Sequence, residues 1–155
     1  MLLIILWLIQ DFLTVLNGGE MHIPGLFMLG LVYNLSFNDS SDVNLRAIWS
    51  AFAGGILWDL RWIGIPGFFT LGNVCAVLIF IKIWEAVPPQ GHTGFLFFIL
   101  MEISQIVPPL LPILILAGST AWNFFLLQQV YSLPAILVTM YLFFKKIQQN
   151  LTQGR

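Results

Sequence analysis

Six apolar runs separated by short polar breaks organise the chain: 2–16, 24–35, 46–60, 67–84, 94–117 and 122–144. The breaks carry turn chemistry, as in Asn17-Gly18-Gly19, the stretch Ser36 to Asp42, Gly64-Ile65-Pro66, Pro88-Pro89-Gln90-Gly91 and Gly118-Ser119-Thr120. Each run predicts a helix. Several are shorter than the roughly 20 residues that a perpendicular membrane crossing needs, and the second is expected to be a half-length or tilted helix. No connection exceeds about a dozen residues, the range of helix connections without a domain of their own. The pattern predicts an all-α membrane protein, a compact bundle of about six transmembrane helices in one polytopic domain over 1–155, with no internal repeat.

Composition moves this from possibility to class. Apolar residues make up 59% of the 155, charged residues only 8%, and mean hydropathy is +0.91; a soluble domain carries roughly 25% charged residues. Six basic and seven acidic residues leave a net charge of -1, which provides no electrostatic footprint for nucleic acid. The one cysteine, Cys75, lies inside an apolar run and reads as a packing residue. His22 and His92 stand in separate connections with no second ligand at useful spacing, so no metal and no cofactor is expected. Residues 1–16 lack a basic leader and a small-residue cleavage site, and are expected to form a retained first helix.

Lys and Arg favour the cytoplasmic side of membrane proteins. With a cytoplasmic N-terminus and six crossings, Arg46, Lys82, Lys145, Lys146 and Arg155 fall inside and only Arg61 outside. Tryptophan favours both interfaces. Under the same topology Trp49 and Trp84 lie near the inner face and Trp58, Trp62 and Trp122 near the outer one; Trp7 alone does not fit. Both termini are expected inside, in a bacterial cytoplasmic membrane.

The third run carries Ala47, Ser50, Ala51, Gly54 and Gly55 at i, i+3, i+4, i+7 and i+8, one stripe of small side chains. Small residues let helix backbones approach closely in lipid, so the stripe is expected to be a packing seam within the bundle or with a partner. Asp59 follows at the edge of that face. It is expected either to anchor the turn Gly64-Ile65-Pro66-Gly67, capping the fourth helix, or to act as a contact or proton site. Asp11 and Glu102 lie within apolar runs, where an ionised carboxylate costs at least a few kcal/mol. They are expected to face the interior in a polar network with Gln10, Asn73, Ser104, Gln105 and Asn123. Lys82 and Glu85 are expected to snorkel, the Lys145-Lys146 tail to contact anionic lipid, and the prolines 108, 109 and 112 to kink or break the fifth helix.

Gly55, then Asp59, then Gly67, followed by an apolar helix, with Pro24 opening a short second run, resembles the central pattern of the bacterial rod shape-determining protein MreD family. The resemblance covers nearly the whole chain by hydropathy and implies a non-catalytic membrane subunit of the elongation machinery that builds lateral peptidoglycan. It implies partnership with the bitopic shape protein MreC and, through it, with other elongation-machinery membrane proteins, and a bundle similar to the substrate-binding subunits of energy-coupling-factor vitamin transporters. Two other classes remain open. A vitamin-binding subunit would need a ligand pocket and, in that family, an Ala-x-x-x-Ala face on the first helix, but residues 1–16 contain neither alanine nor glycine. An intramembrane aspartyl peptidase would need two catalytic aspartates, yet Leu57 and Trp58 stand where an asparagine should precede Asp59.

Overall fold

A computed structural model describes residues 1–18, 23–37, 40–88, 91–116 and 119–153. They form six helices, and no strand occurs among the described residues: α1 (Leu2–Leu16), α2 (Leu26–Leu35), α3 (Ser41–Trp58), α4 (Phe68–Ala86), α5 (Gly94–Leu116) and α6 (Ser119–Gln153). Three stretches, Phe68–Ala86, Gly94–Ile115 and Phe125–Gln149, are long and apolar enough to cross a membrane. At 1.5 Å per residue α1 is about 22 Å long and α2 about 15 Å, both less than the ~30 Å of a hydrocarbon core.

The shortest apolar helix occupies the centre. α2 buries Phe27, Met28, Leu29, Leu31, Val32 and Leu35 and packs against every other helix of the bundle. α1 is its opposite. It leans on α2 and leaves Leu2, Ile4, Ile5, Leu8, Ile9, Phe12 and Leu16 exposed, an outward face suited to lipid rather than water. Where α2 ends, an aromatic cluster closes the bundle: the Phe97 and Phe143 rings stack at 4.1 Å, and Trp84 stacks on His92 at 4.0 Å. The His92 Nε2–H donates to the carbonyls of Trp84 and Val87, both at 3.0 Å, tying off the last turn of α4.

Helix ends differ from the apolar runs where polar chemistry sets them. α3 begins at Ser41, five residues before Arg46, because the Ser40 hydroxyl accepts the Val43 N–H at 3.3 Å as an N-cap. α6 continues past Phe144 through Lys145 and Lys146 to Gln153, since nothing there breaks a helix. Of the kink or break expected at Pro108, Pro109 and Pro112, the break does not occur: α5 runs as one helix from Gly94 to Leu116. Its backbone there is braced by α4. Gly72 lies so close that a Cβ on it would come within 2.6 Å of the Pro108 Cα and 2.8 Å of its carbonyl oxygen. Glu85 does not simply snorkel either; it accepts the Asn44 Nδ2–H at 2.8 Å, linking α4 to the start of α3.

Candidate functional site

At its C-terminal end α3 widens into a π-helical turn, Asp59–Ile63. The Gly64 N–H closes this turn onto the Asp59 carbonyl at 2.8 Å, with Gly64 left-handed at φ 76°. One extra residue per turn rotates everything beyond it relative to a straight α-helix. Asp59, at the head of the turn, points at the start of α4, while Arg61 and Trp62 within it reach Asp11 on α1. The Asp59 carboxylate, 0% exposed, then takes up the free amides that begin α4. Oδ2 accepts from the Gly67 N–H at 2.8 Å, the Thr70 N–H at 3.0 Å and the Thr70 hydroxyl at 2.6 Å; Oδ1 accepts the Phe69 N–H at 2.8 Å. Its negative charge sits at the positive end of the α4 dipole.

The two family-pattern glycines belong to this same junction. Gly67 has φ 123°, a backbone that side chains rarely adopt, and this conformation turns its N–H toward Asp59. Gly55 permits the crossing of α3 and α4: a Cβ there would stand 2.4 Å from the Thr70 Cα and 2.9 Å from its nitrogen. Gly55, Asp59 and Gly67 thus converge on the first turn of α4. With four donors and no exposed surface, the Asp59 carboxylate is engaged by the start of α4.

The rest of the small-residue stripe is divided. Ala47, Ala51, Gly54 and Gly55 are buried within the bundle, and a Cβ on Gly54 would meet the Phe27 ring at 2.6 Å. Ser50 is only half-buried and, with Ala53, Leu57, Leu3 and Ile4, borders a groove of about 200 Å³ between α1 and α3.

Asp11 and Glu102 do not form the expected network. Asp11 accepts the Trp62 Nε1–H at 3.0 Å and pairs with Arg61, whose Nε lies 3.5 Å away. The π-turn delivers both partners, so Asp11 serves as a clip between α1 and the end of α3. Glu102 is half-buried on α5 and no hydrogen bond joins it to Asp11 among the described residues. The uncharged members of the proposed network do meet, without the acids. Gln10, Asn73, Ser104 and Gln105 line one cavity, whereas Asn123 is exposed. His22 and Asp39 lie outside the described residues.

Sequence reasoning missed what those amides hold. Before α2 the chain runs non-helically through Ile23, Pro24 and Gly25, so the backbone groups there need partners other than those of a helix. Three glutamines from three helices satisfy them. Gln105 accepts the Gly25 N–H at 2.7 Å and donates to the Gly25 carbonyl at 3.3 Å; Gln10 accepts the Phe27 N–H at 3.1 Å; Gln128 donates to the Ile23 carbonyl at 3.5 Å. The signal available was three glutamines in apolar runs beside a Pro-Gly break. Trp7, which did not fit the interfacial pattern, donates its Nε1–H to the Gly54 carbonyl at 3.3 Å and meets Trp58 edge-on at 6.2 Å. The cavity among these groups measures about 40 Å³. It has room for water but not for a vitamin, since pockets for such ligands run ~300–1,000 Å³.

No family model, curated protein or solved structure matches the chain.

Proposed function

We propose that this chain is a non-catalytic membrane scaffold of the bacterial cell-elongation machinery, akin to the MreD family, which holds a bitopic MreC-like partner and so helps maintain rod shape. In this reading it is a six-span bundle of the cytoplasmic membrane, with both termini cytoplasmic and a likeness to the substrate-binding subunits of energy-coupling-factor transporters. The observation that supports it best is the junction at α4. The three positions that carry the family resemblance, Gly55, Asp59 and Gly67, act together on one structural task. A pattern whose residues serve architecture suits a scaffold better than an enzyme or a carrier.

The docking face in this reading is the α1–α3 groove rather than the whole stripe. Ser50 and Ala53 keep its floor shallow, and a helix can approach closely over small residues. The exposed apolar flank, Trp49, Phe52 and Leu57, is available to cover a partner helix. Two outcomes of purification from native membranes, read by mass spectrometry, test this. Ala53→Leu should fold normally but lose a co-purifying bitopic shape protein by tenfold or more. Recovery of a tightly held vitamin, or of no elongation-machinery protein with the wild-type chain, would overturn the scaffold reading.

A further inference from the structure

A second groove runs along the opposite flank of α2, and we infer that it is a binding site for one anionic phospholipid. α2 forms its floor and α1 and α6 its walls, with Leu2, Leu6, Leu29, Gly30, Ala135 and Val138 among the lining residues and a volume of about 460 Å³. The lining offers almost nothing polar. The Thr139 hydroxyl is already spent on the Ala135 carbonyl at 2.8 Å, so Thr139 presents its methyl group.

Charge and dimensions together select the occupant. The groove ends beside Tyr33 and Leu142, and at that end stands Lys146, its ammonium 4.0 Å from the Phe37 ring centroid and 5.8 Å from that of Tyr33. The two rings hold the exposed lysine over the mouth of the groove. Along α6 the groove extends from Pro134 to Leu142, about 12 Å, and Lys146 lies about 18 Å from Pro134. One leaflet of hydrocarbon is ~15 Å deep, half of a ~30 Å core. The apolar channel thus has about the length of one leaflet, and the cation stands beyond its end, as a contact to a headgroup requires. Its volume spread over 12 Å corresponds to a cross-section of about 40 Å², half of the ~80 Å² of a helix 10 Å across. That width admits acyl chains. The site stands independently of whether a bitopic protein docks on the α1–α3 side.

The full chain, purified in mild detergent, can be titrated with phosphatidylglycerol or phosphatidylcholine and its lipid adducts counted by native mass spectrometry. One phosphatidylglycerol should bind in preference to phosphatidylcholine. Lys146→Gln should weaken it about fivefold, equivalent to the ~1 kcal/mol that a basic residue contributes near an anionic surface. Val138→Trp, at a position already exposed, should block both lipids. Equal retention of the two lipids by the wild-type chain, or phosphatidylglycerol retention unchanged by Lys146→Gln, would refute the site; so would a dimer that Val138→Trp converts to monomer. Should Val138→Trp fail to fold, Lys146→Gln on the exposed end of α6 decides alone.

Discussion

Removing the Asp59 side chain strips four donors of their acceptor at once. Thr70 is buried, so its N–H and hydroxyl find no water when the carboxylate is gone. Gly67 and Phe69 lie nearer the surface and can be partly resolvated. A hydrogen bond to a charged group contributes ≈1.5–3 kcal/mol net, so the two Thr70 bonds set the cost of Asp59→Ala at about 4 kcal/mol. Asp59→Asn keeps one oxygen. Placed where Oδ2 stands, that oxygen retains the Gly67 and Thr70 bonds, while the amide NH2 faces the Phe69 N–H donor to donor and the charge at the α4 dipole is lost, a cost of about 2 kcal/mol or somewhat more. A chain of this size shifts its melting temperature by ≈2–4 °C per kcal/mol. Thermal unfolding in detergent, followed by the loss of the monodisperse peak in gel filtration, should therefore drop by about 8–16 °C for Asp59→Ala and about 4–8 °C for Asp59→Asn. An Asp59→Ala protein melting within about 2 °C of wild type would refute the capping account. Asp59→Asn that melts as expected yet abolishes partner recovery as fully as Asp59→Ala would point to charge or proton chemistry instead.

Two further predictions test the backbone contacts. Gly55→Ala should abolish accumulation of folded protein, because its Cβ meets the Thr70 backbone, while Gly54→Ala, which meets only the Phe27 ring, should yield a folded protein of lowered melting temperature; equal tolerance of both would deny a backbone-tight α3–α4 crossing. Gln105→Leu leaves the Gly25 N–H without a partner at ≈1–3 kcal/mol, while the Gly25 carbonyl keeps the Leu29 N–H at 3.0 Å, and hydrogen exchange at 25–28 should quicken by at least tenfold; unchanged protection there would mean that the glutamine does not hold the segment.

The helical class and the six-part division were legible because apolar runs in so hydrophobic a chain leave few alternatives, and the turn residues punctuate them. The end of α3 was not legible. Residues 46–60 read as one α-helix, and nothing in Asp59-Leu60-Arg61-Trp62-Ile63 announces the wide turn from which Arg61 and Trp62 meet Asp11. The prolines of α5 left a kink and a break equally open. Proline removes a donor from the helix, but whether the helix then breaks depends on what packs beside it, here the bare backbone of Gly72 on another element. Charge drew attention to Asp11 and Glu102 as the interior network, whereas the groups that meet inside are neutral amides. An amide can satisfy backbone at membrane depth without the cost of burying an ion, and a glutamine in an apolar run carries that potential as plainly as an acid does.

The glutamine clasp also sets a timetable. Gly25 depends on a residue 80 positions downstream and Ile23 on one 105 positions downstream, and chains grow at ≈5–20 residues per second. The central helix is thus synthesised roughly 5–20 s before the last of the side chains that make its position tenable. Until then the backbone of 23–25 lacks the glutamines that hold it, which favours the segment 23–35 outside the bundle until α5 and α6 are made. A cysteine placed at Leu29 would report this order: open to a water-soluble thiol reagent in a ribosome-held chain ending near residue 100, and closed to it once α5 and α6 have been made.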